Sequence, residues 1–252
     1  MTLDLIGAGI AAMIILATGG LITLFALPGF RNKQPAFRPI AAIQRLQRAV
    51  GQSVEDGTRI HVGLGKSSLL SYNSASSLVG LTTLERIALL SLVSDRPPVA
   101  TSGDGALSLL SQDTLKAAYR MGNVSGSYNP SLGRLAGATP FSYLAGAISV
   151  IRSEHVSANL LIGNFGPEVG LMIEADEQQK GTNILASDSL PAQAVMFGMA
   201  QDTMIGEELY ALPAYLQAGA AHTASLRTQD ILRWVIVAVL IGGAILKFMG
   251  LI

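Results

Sequence analysis

The run Gly63-Leu64-Gly65-Lys66-Ser67-Ser68 places one lysine among glycines and serines. Glycine lets a backbone approach an anion closely, its amides donate, and an ammonium adds charge. Four other clusters of turn residues and acids recur along the chain: Ser102-Gly103-Asp104, Gly163-Asn164-Phe165-Gly166, Ser187-Asp188 and Gly206-Glu207-Glu208. Brought to one rim, Gly63, Gly65, Lys66, Ser67, Asp104, Asn164, Asp188 and Glu207 would line a pocket for a small anionic ligand. The same rim would offer Asp104, Asp188 or Glu207 as acid or base in hydrolysis or group transfer. The plainer reading is structural: Ser, Asp and Glu before helices are caps, and Gly is turn chemistry.

Sharper motifs fail. Gly65-Lys66-Ser67 resembles the end of a phosphate-binding loop, but Ile60 stands where the first glycine is required. Gly63-x-Gly65 is followed by Ser68 in place of the third dinucleotide glycine. No G-x-S-x-G elbow is present. His61, His155 and His222 are widely separated and form no metal pair, and His61, inside an apolar run, reads as a core or sheet-face residue rather than a base. Glu174, Asp176 and Glu177 read as a solvated helix face rather than a metal site. The chain has no cysteine, which excludes disulfides, thiol catalysis, iron–sulfur clusters and cysteine zinc sites. No cofactor and no metal site is expected.

The rim clusters punctuate a regular alternation. Strands are expected at Arg59–Gly63, Pro98–Thr101, Arg134–Ala136, Asn159–Gly163, Asn183–Ala186 and Thr203–Ile205. Helices are expected at Ser77–Val93, Asp104–Met121, Pro140–Arg152, Pro167–Gln179, Leu190–Ala200 and Glu207–Gln217. Strict strand–helix alternation implies an α/β, Rossmann-like, doubly wound parallel sheet of about six strands, over residues 52–220. Ligands of such sheets bind outside the carboxyl ends of the strands, where the rim clusters fall. Ser77–Val93 is apolar almost all round, which suits full burial or cover by an oligomer partner. Gly122–Gly133 is a polar, turn-rich loop.

Two apolar segments bracket this pattern. Leu5–Pro28 holds no charge in 24 residues, and Trp234–Ile252 holds only Lys247 near its far end. Each is long enough to cross a bilayer. A cleaved signal peptide fits the first segment less well, since Asp4 precedes it without a basic residue and the apolar run is long. Gly7, Ala8, Ala11 and Ala12 form a small-residue face suited to close helix contact. Residues from about His222 extend the second helix beyond the membrane. A composition of 50% hydrophobic and 13% charged residues, with mean hydropathy +0.44, fits two spans around one globular domain. The formal net charge of zero gives no sign of nucleic-acid binding.

Arg31, Lys33, Arg38, Arg45 and Arg48 follow the first span with no acid through Val50, and Arg227 and Arg233 precede the second. The positive-inside rule then puts the domain in the cytoplasm of a plasma-membrane protein with both termini outside. Within Pro35–Val50, Phe37, Ile40, Ile43, Leu46 and Val50 recur at helical spacing, with the arginines off that stripe. The basic amphipathic helix across residues 31–51 lies either on anionic lipid or against the domain.

GLGKSS after the first strand, NFGPE after the fourth and GEE at Gly206-Glu207-Glu208, bracketed by two spans, resemble a family of uncharacterised bacterial membrane proteins. That resemblance implies an N-terminal span, one α/β domain and a C-terminal span, and it brings no activity. Three functions stay open. The leading one is a membrane-anchored structural or assembly subunit, homo-oligomeric or part of a larger membrane complex. The others are a tethered sensor of an anionic metabolite or nucleotide, and a hydrolase or transferase. The expected partners are the lipid bilayer and other membrane subunits, with no nucleic acid.

Overall fold

Six strands, β1 Arg59–Gly65, β2 Val99–Ser102, β3 Gly133–Leu135, β4 Val156–Asn164, β5 Thr182–Ser187 and β6 Thr203–Ile205, form one sheet in the order β3-β2-β1-β4-β5-β6. Every neighbouring pair is parallel. The computed structural model describes residues 2–27, 37–71, 74–199 and 203–250. Of the residues weighed above, Pro28, Arg31, Lys33, Pro35, Ala200, Leu251 and Ile252 lie outside them. The chain divides into two units, Arg38–Leu216 and a pairing of Met1–Phe37 with Gln217–Ile252.

In the α/β unit, helices cover both faces of the sheet. Side chains alternate along a strand, so a doubly covered parallel sheet needs apolar residues in both registers. Ile60, Val62, Leu64, Leu160, Ile162 and Ile184 point to one face. There they meet α2 (Ala41–Glu55), α3 (Ser74–Leu90), α4 (Gly105–Met121) and α8 (Glu208–Tyr215). Leu161 and Leu185 point the other way, to α5 (Pro140–Ser153), α6 (Val169–Glu177) and α7 (Leu190–Met199). The expected alternation holds element by element, with boundaries moved by a few residues.

Local signals explain the starts. Asp104 is extended and its carboxylate accepts from the Leu107 amide at 3.0 Å, capping α4. Thr139 and Ser142 form a reciprocal capping box at α5, with Pro140 in the first turn. The polar loop Gly122–Gly133 is two 3-10 turns, Ser125–Ser127 and Pro130–Leu132. It is held where the Tyr128 hydroxyl donates to Gln112 O at 2.8 Å. At the amino end of the sheet, Glu154 accepts from Arg59 at 2.7 Å and from Arg134 at 2.6 Å, tying β1 to β3.

Two helices bear on alternatives left by the sequence. α3 packs against α4, α8, β1 and β4 of its own domain, burying Leu81, Leu84, Ile87 and Ala88. Leu78 and Leu90 stay about half exposed, so the expected full burial holds for only part of this helix. In α2 the stripe Ile43, Leu46 and Val50 is buried in the domain core. This stripe is not a lipid-facing surface, and the helix belongs to the α/β unit and runs on to Glu55.

The other unit pairs α1 (Thr2–Ala26) with α9 (Ala220–Phe248), which pack on each other. Both are long and apolar enough to cross a membrane. At 1.5 Å per residue α9 reaches about 44 Å, more than a hydrocarbon core of about 30 Å requires. Its first turns carry Arg227, Asp230 and Arg233 ahead of the apolar run from Trp234. Gly7, Ala8, Ala11 and Ala12 are exposed, and a Cβ on Gly7 would meet nothing within 4 Å.

Candidate site at the strand switch point

The strand order reverses between β1 and β4, the position at which such sheets bind ligands. Here the two strands stay paired to their last residues, Gly65 against Asn164. The Lys66 amide donates to Asn164 O at 3.0 Å, and on the other side the Gly103 amide donates to Gly65 O at 2.8 Å. Gly65 has a φ of +75°, and a Cβ there would stand 2.2 Å from Asn164 O. Only glycine fits. The loop after β1 is thus pressed between its neighbours, and the Lys66 and Gly103 amides are spent on the fold.

The side chains close on one another as well. Lys66 Nζ donates to Glu168 Oε1 at 2.8 Å. Burial pushes the Glu168 carboxyl up, but the bond and charge of Lys66, with backbone bonds at Glu168 and Gly166, outweigh it and hold the group below the usual range. Asn164 Nδ2 donates to Asp188 Oδ1 at 2.8 Å. Buried Ser67 shares a hydrogen bond of 2.9 Å with Ser71.

The structure therefore joins Gly65, Lys66, Asn164 and Asp188, and adds Glu168, which the sequence marked only as part of a helix start. The others are not joined to this network. Gly63 lies beneath Tyr143, where a Cβ would meet Leu161 Cδ2 at 2.8 Å. Asp104 is occupied as a cap. Glu207 sits in the turn before α8, beyond the edge strand β6 and three strands from β1. Its neighbour Glu208 pairs with Arg38.

Beneath the rim runs a buried polar ladder. His61 Nδ1 is 2.6 Å from Asn159 Oδ1, and Nε2 is 2.8 Å from the Thr101 hydroxyl. Asn159 Nδ2 donates to Asn183 Oδ1 at 3.0 Å, which leaves Asn159 Oδ1 as the acceptor for a proton on His61 Nδ1. Nε2 then accepts from Thr101, and Asn183 Nδ2 ends the chain on Ile173 O at 3.4 Å. Tyr143 continues it upward, 3.4 Å from Thr101. Every donor points the same way, so the bonds polarise one another.

Burial holds the His61 pKa down at about 4, against the opposing bond to Asn159 and with Arg134 adding to the effect. Burial likewise lifts Tyr143 to about 12. A neutral imidazole with both nitrogens bonded inside the sheet cannot serve as a base. His61 is the core residue its apolar surroundings suggested. Its partners on β2, β4 and β5 were not legible as a set, because they converge only once the strand order is known.

Asp176 departs from the solvated face, which Glu174 and Glu177 keep. Its side chain is completely buried, and both carboxylate oxygens lack a hydrogen-bond partner among the described residues. Burial, aided by the charge of Glu177, raises its pKa to about 7. The Gly181 amide donates to Asp176 O at 3.1 Å, folding the turn into β5 over the carboxyl.

The match to known families follows the whole architecture rather than the rim. A family model covers residues 6–252, taking in most of α1, the whole α/β unit and all of α9. The chain belongs to DUF6754, a domain of unknown function. No curated protein and no solved structure matches it. Membership in DUF6754 thus takes in the two apolar helices along with the six-stranded domain, and it assigns no chemistry to the rim.

Proposed function

We propose that this DUF6754 chain is a membrane-anchored structural subunit that assembles through its α/β domain. In this reading α1 and α9 span the plasma membrane. The domain lies in the cytoplasm and both termini lie outside, as the arginines and lysine flanking the spans favour. The observation that carries the assembly role is α7. It buries Ala192, Gln193 and Met196 against the domain, yet its outward residues Leu190, Pro191, Ala194 and Phe197 are also apolar. Leu190 is 76% exposed and Phe197 71%. A solvated helix face is ordinarily polar, and an exposed apolar patch marks a surface that meets a partner. The occupied rim supports the same reading: Lys66 and Asn164 already hold acids, leaving little for a substrate. The experiment is the mass of the particle extracted in mild detergent. A multiple of the 26.3 kDa chain, or a stable complex with other subunits, is expected. A strict monomer without partners would sink the proposal.

A second reading, a tethered sensor of an anionic metabolite or nucleotide, is favoured by one observation, the strand reversal placed beside Lys66. A ligand would have to displace Glu168 from the ammonium. A thermal-shift screen of the intact protein with nucleotides and organic acids tests it, and an unmoved melting temperature removes it.

A further inference from the structure

At the opposite end of the sheet from the rim lies a cavity of about 330 Å³, lined by Arg45, Arg48, Ala49, Gln52 and Thr182. Four of these lie on α2, where a spacing of three to four residues brings them to one face. Thr182 opens β5 and supplies a hydroxyl from the other side. The lining holds two guanidinium groups, of which Arg45 already engages another group, and, among the described residues, no carboxylate. Arg48 engages only its Nε, in a long 3.4 Å bond to Gln44 O of its own helix. Its two terminal nitrogens, the Gln52 carboxamide and the Thr182 hydroxyl form no hydrogen bond among the described residues.

We propose that this cavity binds a phosphomonoester dianion. The donors converge from a helix and from a strand end, which suits a tetrahedral group with three peripheral oxygens better than a planar carboxylate. Guanidinium groups pair with such oxygens through charge-assisted bonds. The site is separate from the rim and does not depend on the assembly role. Two sources share this chemistry: a soluble phosphate, and the headgroup of a phosphatidic-acid lipid.

The test uses the full chain in nanodiscs of phosphatidylcholine, with melting temperature as the readout and chloride at matched ionic strength as the control. One arm titrates inorganic phosphate, and the other replaces part of the lipid with phosphatidic acid. A rise in melting temperature in either arm, lost or weakened at least about tenfold in apparent affinity in Arg48→Gln and in Thr182→Val, supports the site. The arm that responds names the source. No rise in either arm, or an equal rise in both variants, overturns it. Arg48 is exposed and the Thr182 side chain makes no hydrogen bond among the described residues, so both variants are expected to fold, and Gln52→Ala provides a third check.

Discussion

Glu168 reaches from the turn before α6 to Lys66 at the end of β1, 2.8 Å away, and bridges the two strands whose separation would open a ligand crevice. The pair is mostly shielded, with side-chain exposures of 27% for Lys66 and 13% for Glu168. Removing one partner strands the other charge. Lys66→Met should destabilise the protein by ~1–3 kcal/mol, whereas the double change with Glu168→Met should recover much of the loss. Thermal melts of the three variants decide this. Because the Glu168 pKa is depressed, its stabilisation is full above the unfolded carboxyl value and fades as pH falls through the folded one. The melting difference between wild type and Lys66→Met should narrow in acid.

The pH response of His61 runs through a different window. Its folded pKa of about 4 lies below the ordinary 6.5, so the unfolded chain takes up the proton first. Stability is unaffected above pH 6.5 and declines as pH falls toward 4, by ~3 kcal/mol in all. His61→Gln should remove that slope while lowering stability at neutral pH, since the ladder bonds are made less well. Melting temperature against pH reads both effects, and an unchanged slope in the variant would remove His61 as its source.

Asp176 gives the opposite slope. Its folded pKa of about 7 exceeds the usual 3.8, so stability declines as pH rises from 3.8 to 7. Asp176→Asn should raise stability by ~2–4 kcal/mol at pH 8 and change it little at pH 4. In the wild type the two buried groups offset each other between pH 4 and 6.5, so single variants reveal what the parent profile conceals.

Gly65 and Gly206 separate strain from close approach. Both have positive φ, +75° and +62°. A Cβ on Gly65 strikes Asn164 O, while one on Gly206 meets nothing within 4 Å. Gly206→Ala should cost ~1 kcal/mol, from the backbone conformation alone. Gly65→Ala should cost several times more and loosen the β1–β4 pairing, which amide exchange at Lys66 and Asn164 would detect.

If α7 is the assembly surface, Leu190→Glu and Phe197→Glu should reduce the oligomer with melting temperature nearly unchanged, because neither side chain is in the core. Native mass spectrometry of the detergent-extracted variants is the measurement. A loss of folding along with the oligomer would instead place these residues in the domain's own stability.

The sequence alone determined the order of strands and helices, the caps at Asp104 and Thr139, and the two long apolar helices. These are local properties: periodicity, capping and run length act over a few residues and survive in any surroundings. Tertiary structure decided everything that depended on strand order. It set Glu168 against Lys66, 102 positions away, and closed Asn164 on Asp188. It also assembled His61, Asn159 and Thr101 from three strands, and turned the stripe of α2 into the core. A rim of caps and a rim that binds ligands have the same local composition. They differ only in which distant side chain reaches each charge first, and parallel pairing of β1 with β4 brings the acid of the neighbouring loop to the lysine.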